Sequence, residues 1–91
     1  MEKNYIVYKH TNKINGKIYI GQTSKSLKER CGYNGRLYSH SSYFYSAICK
    51  YGWENFEHEI LESGLTQEEA TERERYYINL YHFIRKVIDI A

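Results

Sequence analysis

Tyr5-Ile-Val-Tyr8, then Ile14-Asn15-Gly16-Lys17, then Ile18-Tyr19-Ile20-Gly21: two short apolar, β-favouring runs flank an Asn-Gly dipeptide. Asn-Gly between such runs is the strongest short-range hairpin signal, because both residues accept the positive φ of a tight turn. A chain reversing there brings Tyr8 and Tyr19, which are 11 positions apart, onto neighbouring antiparallel strands near one end of a small sheet. Two paired phenols, a glycine at the strand end and an arginine on the next helix could together make a phosphate-cleaving site.

Outward from the hairpin, the remaining elements announce their ends. Ser24 or Ser26 can cap a short helix through Leu27 and Arg30, stopped by Gly32. Cys31 to Ser41 is rich in Gly, Asn, Tyr and Ser and reads as a structured loop. Phe44, Ala47, Ile48 and Tyr51 recur at helical spacing, which predicts a helix over Tyr43–Tyr51 with Ser42 as cap and Gly52 as stop. Phe56, His58 and Ile60 alternate with Glu57, Glu59 and Leu61, predicting a third strand with one buried face. Thr66-Gln-Glu-Glu69 is a capping box opening a helix from about Gln67 to about Phe83. The order β-β-α-α-β-α predicts an α+β domain: a small, mainly antiparallel three-stranded sheet flanked by helices.

A chain of 91 residues supports a single domain, residues 1–91, with one modest core. It has no basic-then-apolar leader and no apolar run of the roughly 18 residues a membrane span needs, so the expected location is the cytoplasm. Cys31 and Cys49 lack CxxC spacing and read as free thiols, and no histidine is spaced to make a zinc site with them.

The net charge of +2 conceals a division. Residues 1–50 hold nine Lys/Arg against two acids, whereas residues 51–91 hold four against nine. The basic half carries the paired tyrosines and suits a surface facing phosphates. Lys13, Lys17, Arg36 and His40 are the candidate contacts to such phosphates. The plainer reading of such lysines is a solvated turn and helix.

The residues quoted so far resemble the signature of the GIY-YIG nucleases. Ile6-Val7-Tyr8 stands for its first half, with Ile6 where the family usually has glycine, and Tyr19-Ile20-Gly21 matches the second half letter for letter. Gly21-Gln22-Thr23, Arg30, the run Lys50-Tyr51-Gly52-Trp53-Glu54-Asn55-Phe56-Glu57 and Glu74 follow in family order, so the resemblance extends from about Asn4 to about Tyr81. The Lys50–Glu57 run is similar to a subgroup found in phages and mobile elements. The resemblance implies a metal-dependent DNA endonuclease using Mg²⁺ or Mn²⁺. It casts Tyr8 as general base or water-orienting phenol, Tyr19 as a partner of the phosphate or the attacking water, Arg30 as the clamp on the scissile phosphate and Glu74 as the metal ligand. Helical geometry agrees in part. Glu74 shares a stripe with Ala70, Tyr77, Ile78 and Tyr81, whereas Glu72 lies on another side and is the fallback ligand.

The resemblance also sets expectations that this chain departs from. Some relatives carry a histidine near His40. Many continue into a Gly-Tyr-Asn segment, whereas here the chain reads Arg85-Lys-Val-Ile-Asp-Ile-Ala91, with Asp89 in the asparagine's place. An aspartate cannot donate through an amide and adds negative charge beside a phosphate. The alternative is therefore a nucleic-acid-binding module that keeps the fold with lost or reduced cleavage. Sequence specificity would come from a fused DNA-binding module or from a homodimer.

Overall fold

The computed structural model describes residues 3–38, 42–82 and 87–89. Strands β1 (Tyr5–Asn12) and β2 (Ile18–Thr23) form the expected hairpin, with Tyr8 opposite Gly21 and His10 opposite Tyr19. Gly16 takes a φ of 76° in the connection. The turn is held by a residue that the Asn-Gly signal leaves unmentioned. Asn12 is fully buried; its carbonyl accepts the Gly16 N–H at 2.7 Å and its side-chain oxygen accepts the Ile14 N–H at 2.8 Å. An asparagine that satisfies the loop's own donors removes the cost of burying them.

Helix α1 (Leu27–Cys31) starts at Ser26, which forms a reciprocal capping box with Glu29, and it ends at Gly32 with φ 69°. The predicted loop that follows is more ordered than its composition suggests. Tyr33–Tyr38 forms two 3₁₀ turns joined by Asn34 and Gly35 in left-handed conformations, which asparagine and glycine adopt at least cost. Helix α2 spans Ser42–Tyr51 and stops at Gly52, φ 89°; a 3₁₀ turn, Trp53–Asn55, leads into β3 (Phe56–Leu65). Helix α3 (Gln67–His82) begins at the Thr66–Glu69 capping box, closed by hydrogen bonds of 2.9 and 3.1 Å.

The three antiparallel strands are joined by a short fourth, β4 (Val87–Asp89), which runs parallel to β2 and gives the order β3-β1-β2-β4. Period-2 alternation then sorts the side chains into two layers. Tyr8, Tyr19, Cys31, Tyr38, Phe44, Ile48 and Phe56 form one buried cluster beneath α1, the 3₁₀ turns and α2. Val7, Ile18, Ile20 and Ala70 form the other, on the α3 side.

The third strand departs from expectation. Phe56 is buried, but His58 and the acidic residues around it are exposed, and Ile60 is 50% exposed. β3 is an edge strand, and its register against β1 shifts twice between Tyr5 and Tyr8. Alternation reports which face a side chain occupies; it does not report whether anything covers that face. Glu57 and Glu59 suit an edge that must not pair with another chain.

Candidate active site

Tyr8 is fully buried, and its ring lies over Gly21: a Cβ at that position would stand 2.5 Å from the Tyr8 hydroxyl oxygen. The glycine thus admits the phenol. The polar neighbours of that hydroxyl are the Tyr38 hydroxyl and the Arg30 guanidinium, with no well-formed hydrogen bond closed in this conformation. Burial pushes the phenol above its ordinary pKa, and Tyr38 and Arg30 partly offset that.

Arg30 sits in the last turn of α1, its N–H donating to the Ser26 carbonyl at 2.9 Å. Its guanidinium stacks on the Tyr38 ring at 4.2 Å and reaches the Leu37 carbonyl at 3.5 Å. A stacked, half-buried guanidinium keeps its fork free for a phosphate.

Tyr19 lies on the same sheet face, diagonal to Tyr8, and packs at 4.5 Å between ring centroids against Phe44. It borders a groove of about 190 Å³ between the hairpin end and α2, lined also by Asn15, Lys17, Tyr43, Lys50 and Tyr51. Burial, then the neighbouring Tyr51, raise its pKa. The two phenols therefore share a face but have different polar surroundings: Tyr8 has an arginine and a tyrosine, whereas Tyr19 has a lysine-lined groove.

Glu74 is the only buried acidic side chain among the described residues, at 6% exposure, whereas Glu72 is exposed. The helical reading that separated the two carboxylates matches this placement. Its stripe partners Ala70, Tyr77, Ile78 and Tyr81 pack with Val7 and Ile20, on the sheet face opposite the two phenols. Of the candidate DNA contacts, Lys13, Lys17 and Arg36 are exposed, and His40 lies outside the described residues. Lys9, by contrast, is engaged elsewhere, 3.2 Å from Glu59 and over the Tyr81 ring.

The family profile for the GIY-YIG catalytic domain matches residues 4–86. The chain belongs to the GIY-YIG family. It is 41% identical over 75 residues to a protein of Enterobacteria phage T4 named "Putative endonuclease segD", covering 82% of this chain and 31% of that one. A second phage T4 protein, "Putative endonuclease segB", is 42% identical over 72 residues, covering 78% of this chain and 30% of its own. The chain thus spans about a third of the length of these relatives. No solved structure matches significantly. These likenesses support a nuclease function. Among the described residues, no helix is long and apolar enough to cross a membrane.

Within this GIY-YIG domain, sequence reading missed two polar residues beside the Tyr8–Arg30 site, His10 and Tyr38, and a third, Lys50, beside Tyr19. His10 is completely buried; its Nε2 lies 2.9 Å from the Tyr38 hydroxyl and its Nδ1 lies 2.8 Å from Nδ1 of His58. Burial, reinforced by His58 and Arg30, lowers the His10 pKa to about 3. A signal for His10 was present, since position 10 has the same parity as Tyr8 and must share its face. Tyr38 had none, because a loop position carries no periodicity. Lys50, at the groove beside Tyr19, belongs to the Lys50–Glu57 run, where the family pattern hides its place beside a phenol.

Proposed function

We propose that this domain is a divalent-metal-dependent DNA endonuclease that hydrolyses one phosphodiester by in-line attack of water and leaves a 5′-phosphate. The observation that carries this reading is the meeting of the Tyr8 phenol, the Arg30 guanidinium and Gly21 at one spot in a GIY-YIG chain. Tyr8 takes up the proton of the attacking water. Arg30, held by its stack on Tyr38, turns its fork to the non-bridging oxygens, where charge grows as the bond breaks. Tyr19, with Lys17 and Lys50 beside it, holds the neighbouring backbone phosphates in the groove.

Among the described residues, no three His, Cys, Asp or Glu side chains stand together as a metal cage. By charge and donor type the buried Glu74 carboxylate would suit a hard cation as its one protein ligand; it stands on the α3 face of the sheet, opposite Tyr8 and Arg30. When bound, Mg²⁺ or Mn²⁺ would neutralise phosphate charge and assist the leaving oxygen. DNA is the proposed substrate, in the cytoplasm, and a fused module or a second copy of the chain would supply sequence specificity.

A second reading, a nucleic-acid-binding module without cleavage, draws on the complete burial of the Tyr8 hydroxyl. Incubation with supercoiled plasmid separates the two. A nuclease produces nicked or linear DNA with Mg²⁺ or Mn²⁺ and none in EDTA, and Glu74→Gln abolishes the product while Glu72→Gln retains it. Plasmid that stays supercoiled under both metals yet is retarded in a gel identifies the binding module.

A further inference from the structure

Tyr8 sits where the proposed chemistry needs a base, but burial keeps it a neutral phenol. A neutral phenol can take a proton from water only by losing its own. The chain His58–His10–Tyr38 begins at the exposed edge strand and ends beside Tyr8. Its contacts are 2.8 Å between the two imidazole Nδ1 atoms and 2.9 Å from His10 Nε2 to the Tyr38 hydroxyl. The Tyr38 hydroxyl neighbours that of Tyr8, and the hop between them requires the hydrogen bond that is open in this conformation to close. The Cys31 thiol, 3.7 Å away, donates to the Tyr38 oxygen and so turns the Tyr38 proton toward His10. That orientation requires His10 to accept at Nε2 and donate from Nδ1 to His58.

We propose that Tyr38, His10 and His58 form a proton exit from the Tyr8 phenol to solvent, with both histidines acting on the reaction through Tyr8 as positioning residues. The inference rests on the nuclease reading above. As the water oxygen bonds to phosphorus, its proton passes to Tyr8 and the Tyr8 proton passes to the Tyr38 oxygen. The Tyr38 proton moves to His10 Nε2, and the Nδ1 proton of His10 moves to His58 Nδ1. His58, briefly an imidazolium, releases its Nε2 proton to water. Every inner group gains one proton and loses one, so no charge rests in the core. After product release the reverse hops, with a solvent proton entering at His58 and one leaving from Tyr8, restore the starting tautomers.

The surroundings favour passage over storage. Tyr8, Arg30, Cys31, Tyr38 and His58 face His10, and burial with the Arg30 charge opposes an imidazolium there. His58 has Lys13 as its charged neighbour and Trp53 stacked at 4.3 Å, and its other side is open to water.

The test uses the whole chain. His58→Ala removes an exposed ring, so the variant folds and should bind DNA as the parent does. Single-turnover cleavage with Mg²⁺ should fall by roughly 10²-fold or more, the lower end of the range attributed to proton transfer. Added imidazole should restore the rate of the variant and leave the parent unchanged. The parent's decline in rate toward low pH, where His58 is already protonated, should disappear from the variant's profile. Separately, ¹⁵N spectra of the imidazoles should show His10 neutral with its proton on Nδ1. Parental cleavage and pH profile in His58→Ala, or a His10 proton on Nε2 at rest, overturns the proton exit alone. Absence of cleavage by the parent under either metal overturns the nuclease reading and the exit with it.

Discussion

Gly21 shows how one residue ties the sequence signature to the site. The glycine of the second half-signature is required by Tyr8, whose ring occupies the space of a Cβ at 2.5 Å from its hydroxyl. Gly21→Ala should therefore displace the phenol from Tyr38 and Arg30. Overpacking of this kind costs about 1–3 kcal/mol, measurable by urea denaturation, and cleavage should fall further than stability does. His10 makes a second prediction at this scale. Its folded pKa of about 3 lies below the ordinary value of 6.5, so the unfolded chain binds the extra proton first. The stability this residue protects is complete above pH 6.5 and is lost as pH falls from there toward 3. The slope approaches about 1.4 kcal/mol per pH unit for one group, and His58, also lowered, adds to it with the same sign. Denaturation midpoints followed from pH 7 to pH 4 should fall steeply in the parent and less steeply in His10→Gln, compared with each protein's own value at pH 7. The sharing of a face by Tyr8 and Tyr19 was legible from parity and the Asn-Gly turn. The burial of His10 was not, since an imidazole at a core position is recognised only once Tyr38 arrives from a distant loop.

At the level of elements, the local stop and start signals carried most of the fold. The Thr66–Glu69 capping box forms as read, Ser26 rather than Ser24 caps α1 and adds a capping box of its own with Glu29, and Gly32 and Gly52 end α1 and α2 with positive φ. These devices act within four or five residues of chain, which is why sequence alone reveals them. The exposed edge of β3 and the addition of β4 depend on partners far along the chain, and no local pattern encodes either. Helix α1 is only five residues long, below the length at which a helix persists by propensity. Its cap therefore does more than stabilise: the Ser26 carbonyl holds the Arg30 N–H while the Ser26 hydroxyl holds that of Glu29. Ser26→Ala should cost about 1 kcal/mol in global stability. It should also lower the cleavage rate without a matching loss in DNA affinity, because a frayed α1 releases Arg30 from its stack on Tyr38. A variant that loses stability yet cleaves at the parental rate would show that Arg30 is placed by that stack alone.

Across the whole molecule, the basic and acidic halves of the sequence meet along the β1–β3 edge, where Lys9 lies 3.2 Å from Glu59, and part at the Tyr19 groove. Lys17 and Lys50 border the Tyr19 groove, whereas Glu57 and Glu59 line the far edge strand. DNA should accordingly approach from the hairpin end and α2, with α1 presenting Arg30 toward the same layer. This arrangement separates two kinds of cation by what they do in the reaction. Lys17 and Lys50 meet phosphates equally in bound DNA and in the transition state. Replacing both with alanine should weaken binding for every sequence and reduce the slope of log affinity against log salt by roughly 1–2, about one for each phosphate no longer neutralised. The cleavage rate of saturated complex should change little. Arg30 meets the phosphate whose charge grows, so its interaction strengthens as the bond breaks. Arg30→Ala should cut the single-turnover rate by roughly 10²-fold or more, the scale of a lost electrostatic stabiliser, while affinity falls only modestly. Rate and affinity measured on one substrate for the parent, the double lysine variant and Arg30→Ala assign each cation to its role. If Arg30→Ala loses affinity and rate in equal proportion at subsaturating protein, yet cleaves normally when saturated, the arginine binds phosphate as the lysines do and the transition-state clamp must be sought elsewhere.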